Sequence, residues 1–304
     1  MPTGWTIRRN LAAACVRLAP VGSAQPRVGV VGHVEWVQFA RVPHVPRAGE
    51  VVHAREPFEE PAGGGAVAAV QLARLAGEAV LVTALGEDEH GRRSVERLHQ
   101  LGVDVRASWR AQPTRRAVTL VDDARERTIT TLGSRLEPQG ADGVVDWETL
   151  EGLDAIYFTA GDPDALRAAR KAARVLVASP RARHALGHGV ELDALVLSTH
   201  DEVERHEAAR SGREAALVVL TDGARGGSYR ARSGETGSWA AASPPGNPVD
   251  SYGCGDSFAA GLTYGLGAGL GVADSLALAA RCGAACLTGS GPYERQLGAG
   301  DLKG

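Results

Sequence analysis

The string Asp250-Ser-Tyr-Gly-Cys-Gly-Asp256 carries residue types at a spacing that could do chemistry. The breakers Pro244-Pro245-Gly246-Asn247-Pro248 precede it, and the apolar run Phe258-Ala-Ala-Gly-Leu262 follows. A loop entering a helix through two glycines leaves backbone N–H groups unpaired and pointing outward. The helix start attracts an anion, and the absent side chains at Gly253 and Gly255 let it come close. A carboxylate at Asp256 would repel that anion. The conflict resolves if Asp256 takes a proton from a hydroxyl while the amides of Gly253, Cys254 and Gly255 hold the group that the hydroxyl attacks. That chemistry is phosphoryl transfer. The plainer alternative makes Asp256 a helix cap and the glycines an ordinary turn.

The longer string resembles the C-terminal motif Asp-Thr-x-Gly-Ala-Gly-Asp of the ribokinase-like (PfkB) carbohydrate kinases, with Ser251 for the Thr and Cys254 for the Ala. Gly63-Gly64-Gly65-Ala-Val-Ala is a second glycine-rich helix entry, whose bare amides could bind hydroxyls. In the resembled family a Gly-Gly at this place approaches the sugar. Gly86-Glu-Asp-Glu-His-Gly91 is similar to the family's Gly-Asp-Asp-x-x-Gly. The resemblance therefore runs from Arg27 onward.

Thr221-Asp222-Gly223 closes an apolar strand and is followed by Arg225-Gly226-Gly227. Ligands of open α/β sheets bind beyond the carboxyl ends of strands. By itself this stretch is equally a β-turn. The resemblance implies that Thr221, Gly223 and Gly226 face the phosphates of ATP. It also implies Mg²⁺, whose water shell the family orders with Asn-x-x-Glu; Ser198 and Asp201 stand there in this chain. Where many sugar kinases place an Asp for sugar hydroxyls, this chain has Val37, with Glu35 two residues earlier as a substitute acceptor. Gly291 matches a glycine near the family's monovalent-cation (K⁺) site, with Asp250 and Ser251 as further candidates. Cys254 either replaces Ala by size or, at a helix N-terminus, has a lowered pKa and raised reactivity.

The reaction implied is ATP-dependent phosphorylation of a hydroxymethyl group on a sugar or sugar-like molecule, with Asp256 as general base. Two alternatives stay open. One is a nucleoside kinase of the same family, with Trp36 and Phe39 stacking on the base. The other is a non-catalytic sugar- or nucleotide-binding regulator on this fold.

Composition narrows the field. The 304-residue chain has a formal net charge of −3, so no basic field points to nucleic acid or an acidic membrane. The only lysines are Lys171 and Lys303, and neither completes Gly-x-x-x-x-Gly-Lys-Ser/Thr. No Gly-x-Gly-x-x-Gly occurs, which argues against a dinucleotide-dependent oxidoreductase. Cys15, Cys254, Cys282 and Cys286 form no Cys-x-x-Cys, as expected of free thiols in a cytoplasmic protein. No apolar stretch approaches the roughly 18 residues of a membrane helix. Residues 1–26, with a short apolar run after Arg8-Arg9, read as a disordered extension rather than an export signal.

The elements that must position these residues follow from the apolar runs. Arg27–Val31, Ala79–Thr83, Ala155–Phe158, Val175–Ala178, Ala194–Leu197 and Ala215–Leu220 read as buried strands. Helices fit Gly63–Leu75, Asp88–Leu101, Ala165–Ala173, Glu202–Ala209, Phe258–Leu266 and Val272–Leu287. Strand–helix alternation with near-continuous apolar strands predicts a doubly wound, mainly parallel α/β sheet over residues 27–304. Arg116–Val121 and Arg127–Thr131 read as a hairpin, and segments near 33–60 and 105–135 as a small β lid whose edges could pair two chains.

Overall fold

The computed structural model describes residues 25–143 and 147–303, so most of the expected N-terminal extension, Cys15 included, lies outside the described residues. In order along the chain the elements are β1 (Val28–Val31), β2 (Glu35–Arg41), β3 (Arg55–Ala62), α1 (Gly64–Ala76), β4 (Ala79–Gly86), α2 (Glu89–Gln100), β5 (Val103–Arg110), β6 (Arg116–Val121) and β7 (Arg127–Leu132). They continue with β8 (Leu153–Phe158), α3 (Pro163–Ala172), β9 (Ala173–Ala178), β10 (Leu192–Ser198), α4 (Glu202–Ser211), β11 (Ala215–Thr221), β12 (Gly227–Ala231), β13 (Thr236–Trp239), α5 (Cys254–Gly267) and α6 (Val272–Cys286).

A strand that is apolar on both faces needs cover on both faces. Along β1 and β8 the side chains alternate between two cores. Val28, Val30, Ala155 and Tyr157 face the layer of α1, α5 and α6, while Val31, Ile156 and Phe158 face the layer of α3. Fully burying each such aliphatic or aromatic side chain contributes about 1.5–3 kcal/mol.

Among the described residues the main sheet has nine strands in the order β13-β12-β11-β10-β9-β8-β1-β4-β5. From β11 to β5 the pairs are parallel; β12 and β13 add an antiparallel edge. The chain starts in the middle at β1, builds outward to β5, then returns to build β8 to β11 on the other side. Strand order therefore reverses at β1 and β8, and a crevice opens beyond their carboxyl ends.

A second sheet, β3-β2-β6-β7, stands apart from the first. It takes in the expected hairpin, β6 paired antiparallel with β7. The boundary differs from the sequence expectation at one point: Val103–Arg110, read as the start of the small sheet, pairs parallel with β4 as the edge of the main one. Its mixed burial, with Asp104 exposed and Ala107 buried, hides the apolar signal of a parallel strand.

Two joints lock the helices that matter. Asp88 caps α2 through Gly91 N at 2.8 Å and accepts from Thr114 N at 2.7 Å, so the Gly86–Gly91 motif ties α2 to the strand connection. Along α5 and α6, glycines let the backbones touch. A methyl on Gly261 would lie 2.9 Å from Ala279 Cα, and one on Gly265 2.9 Å from Ser275 Cα. Among the described residues no helix is long and apolar enough to cross a membrane.

Candidate active site

The loop before α5 is anchored from within. Asp250 is buried, and its carboxylate accepts from Tyr252 N at 2.8 Å and Gly291 N at 3.1 Å. Gly253 then turns the chain with φ +81°, a left-handed conformation, and a methyl there would lie 2.9 Å from Val67. The helix starts at Cys254, four residues earlier than its apolar run suggests, so Asp256 falls in the first turn. The N-cap residue is Gly253, with no side chain closing the start. Asp256 is therefore not the cap. Its Oδ1 lies 3.3 Å from Arg181 Nη1, and its side chain is 13 % exposed. A methyl on Gly255 would meet nothing within 4 Å, so this helix start faces open space.

The second glycine entry comes to the same place. A methyl on Gly64 would sit 3.0 Å from Asp256 Oδ1 and 3.4 Å from Arg181 Nη1. The amides of this entry are not bare, contrary to the sequence reading. Gly63 N donates to Tyr252 Oη at 3.3 Å, Gly64 N to His33 Nε2 at 3.4 Å, and Gly65 N to His33 O at 3.1 Å. Since Nε2 accepts from the backbone, the imidazole proton resides on Nδ1. That Nδ1 is buried and has no hydrogen-bond partner. Burial, reinforced by Arg135, Arg181 and Arg115, pulls the His33 pKa well below its ordinary value, so the ring is neutral.

Glu35 lies beside it, within 3.3 Å of where a Gly63 methyl would be. Its carboxylate is 3.3 Å from Arg115 Nε, and burial raises its pKa against the pull of Arg115, Arg181 and Arg135. A carboxylate beside this glycine entry suits a hydroxyl of a polyol. Val37 is fully buried, and the aromatic shelf expected of Trp36 and Phe39 is absent. Trp36 is buried and stacked on His90, while Phe39 packs face to face with Phe58 and edge-on to Tyr252.

Sequence reasoning missed Arg181, Glu204 and His33. Arg181 follows Ser179-Pro180 just beyond β9, and its Nε lies 3.3 Å from Glu204 Oε1. Glu204 is buried and also accepts from Ser198 N at 2.8 Å through Oε2. Asp201, expected to serve Mg²⁺, turns its Oδ1 back to cap α4 through the amides of Val203 and Glu204, at 2.9 and 3.0 Å. The acidic side chain that reaches into the crevice is Glu204. One signal could have exposed Arg181: it sits at the carboxyl end of a central parallel strand, where ligands of such sheets bind.

The turn after β11 has its own network. Thr221 Oγ1 donates to Leu197 O at 3.2 Å. Asp222 pairs with Arg225 at 2.7 Å and His200 at 2.9 Å, and its pKa is lowered to about 2, chiefly by Arg225. Gly223 and Gly226 adopt φ +56° and +85°, as this tight turn requires. Register pairs Thr221 with Ser198, so both stand at one end of the sheet. No hydrogen bond or ion pair joins this turn to Gly253–Asp256 among the described residues; space separates the two halves.

Among the described residues no three His, Cys, Asp or Glu side chains gather as a metal cage. Asp201 is exposed with one oxygen uncommitted, which fits an ion carried mainly by phosphates and water. The K⁺ set does not fit. Gly291 turns its N–H toward Asp250, and Ser251 Oγ receives a hydrogen bond from Arg127 Nη1 at 2.8 Å. Arg127 places a guanidinium beside Ser251, which opposes a cation there. Of the two readings of Cys254, the lowered pKa is not met: the neighbouring Cys286 thiol and burial push it up, which leaves replacement of Ala by size.

Comparison with known proteins gives a consistent result. The model for "pfkB family carbohydrate kinase" matches residues 25–297. An ATP-dependent ribose-1-phosphate kinase of Halopiger xanaduensis is 28 % identical over 251 residues, covering 78 % of this chain and 83 % of that one. A microbiome-derived acarbose kinase superposes with a TM-score of 0.76 at 23 % identity, covering 92 % of this chain and 98 % of that one. Ribokinase of Arabidopsis thaliana, complexed with ribose and ATP, gives 0.73 at 19 % identity, covering 91 % and 97 %.

Proposed function

The chain belongs to the pfkB family of carbohydrate kinases, and on that premise we propose that it transfers the γ-phosphoryl group of ATP to a hydroxymethyl group of a sugar or sugar-like acceptor. The observation that supports this most is the start of α5. It is a helix N-terminus with no side-chain cap, open at Gly255, with Asp256 in its first turn aimed across the crevice at Gly64.

The acceptor hydroxyl lies over Asp256, which takes its proton as the oxygen attacks the γ-phosphorus. The amides of Gly253, Cys254 and Gly255 neutralise the charge that develops on the transferred group. A general base contributes about 10²–10⁴ in rate, and one well-aimed donor about 3–4 kcal/mol. Glu35 orients the remaining hydroxyls, with Gly63 and Gly64 bringing the backbone close and Gly65 packed against the chain itself. Thr221, Gly223 and Gly226 border the nucleotide beside Ser198. Mg²⁺ would be held through water by Asp201, and it supplies charge neutralisation to the phosphates when bound.

A second reading is favoured by Arg115 and Arg135, whose charges act on the same pocket as Glu35 and His33. Under it the acceptor already carries a phosphate, the class named for the Halopiger relative.

ADP release would be followed across polyols, nucleosides and sugar monophosphates, for the native chain and for Asp256→Asn. At least one acceptor is expected to be turned over, with a loss of about a hundredfold or more in the variant while nucleotide binding persists. Wild-type turnover by Asp256→Asn would reject Asp256 as the base.

A further inference from the structure

Asp256 presents a difficulty for the proposed reaction. A carboxylate oxygen held by a guanidinium is not free to accept from a substrate hydroxyl. The contact is specific: Arg181 Nη1 to Asp256 Oδ1 at 3.3 Å, with Arg181 Nε held at 3.3 Å by Glu204. Glu204 is fixed in turn by Ser198 N, and Arg181 O accepts from Arg135 Nη2 at 3.0 Å. Among the described residues no other positive group touches Asp256. The titratable groups facing it are Glu35 on β2, Tyr157 on β8, Cys286 on α6, and Tyr252 and Tyr293 on the loops flanking α5 and α6; all are neutral or acidic.

We propose that Arg181 is a positioning residue: in the free enzyme it holds Asp256 turned toward Gly64, and it lets go when acceptor and nucleotide are both bound. The inference rests on the reading of Asp256 as the general base. The geometry supports release as well as capture. Glu204 grips only Nε, so the Nη groups are free to leave Oδ1 without losing that anchor. The side chain is 42 % exposed, and its Nη1 lies between the starts of α1 and α5, where the transferred group passes. An anionic phosphoryl there competes with Asp256 for the guanidinium, which frees the base as the reaction needs it. Arg181 forms and breaks no covalent bond. The raised pKa of Arg181, caused first by Asp256, agrees with the capture.

The test splits kcat/KM, which reports the free enzyme, from kcat, which reports the complex. In Arg181→Gln kcat/KM is expected to fall about tenfold or more, because the free enzyme no longer holds Asp256 toward Gly64. The kcat is expected to stay within about threefold, because the contact is already released in the complex. Arg181→Lys, which keeps a charged donor, is expected to recover most of kcat/KM, and circular dichroism checks that both variants fold. Unchanged kcat/KM in Arg181→Gln would overturn the proposal, and an equal fall in kcat would overturn the release. Asp256→Asn separates the two ideas. Wild-type turnover there removes the base itself, whereas low turnover there with unchanged kcat/KM in Arg181→Gln removes only the role of Arg181.

Discussion

Two helix starts in this molecule share a sequence signal and differ in what fills them. α1 and α5 both begin at a glycine with positive φ, and neither has a side-chain cap. At α1 the protein supplies the partners: Tyr252, His33 and the His33 carbonyl take the amides, and a methyl on Gly65 would lie 2.7 Å from the Gly32 and His33 backbones. At α5 the protein leaves the space beside Gly255 vacant. A glycine pair before a helix therefore marks close approach, and only the surroundings decide whether chain or ligand does the approaching. In this crevice one start is a joint and the other, on the proposed reading, a receptor, with Asp256 between them.

Replacing single glycines should pull the two apart. The largest effect is expected for Gly255→Ala. Its methyl enters the vacant space and displaces the anion by an appreciable fraction of an ångström, which should cost about a hundredfold in turnover. Stability should hold or rise by roughly 0.5–1 kcal/mol, because Ala is the better helix former. Steady-state kinetics beside a melting curve would show it; unchanged kinetics would make α5 another joint.

Gly65→Ala should act in the opposite sense. Overpacking against backbone costs about 1–3 kcal/mol, so the melting temperature should fall by about 5 °C. Turnover per folded molecule should change less than in Gly255→Ala.

The smallest effect is expected for Cys254→Ala. Because the folded thiol has a raised pKa, the unfolded chain ionises first as pH climbs past about 8.5. The stability this thiol contributes is thus present below that pH and lost above it. Melting profiles from pH 7 to 10 should decline slightly less steeply in the variant. Alkylation of the native thiol at neutral pH should be slow; rapid labelling would mean that Cys254 faces the receptor instead of Cys286.

The main sheet was legible because β1, β8, β9, β10 and β11 are short apolar runs, and only strands covered on both faces read that way. β5, β12 and β13 were not, because they lie at or next to the edges and mix exposed residues with buried or half-buried ones. The α5 start was legible for a related reason: Gly253, Cys254, Gly255 and Asp256 are neighbours in sequence, so local spacing carries their geometry. Arg181 and Glu204 were invisible to the same logic. Each meets Asp256 or its partner only through the convergence of β9, β10 and α5, which no short window contains. Asp201 misled for the complementary reason, since an acidic residue three places past a strand end serves equally well as the cap of the next helix.

The glycine-lined seam between α5 and α6 bears on where damage to this protein would show itself. A side chain larger than hydrogen at 261 or 265 forces the two rods apart, and α5 carries Asp256 at its tip. Lesions two and three turns down the rod would then surface as misaimed chemistry in a chain that still folds. This shaft itself has no room to twist.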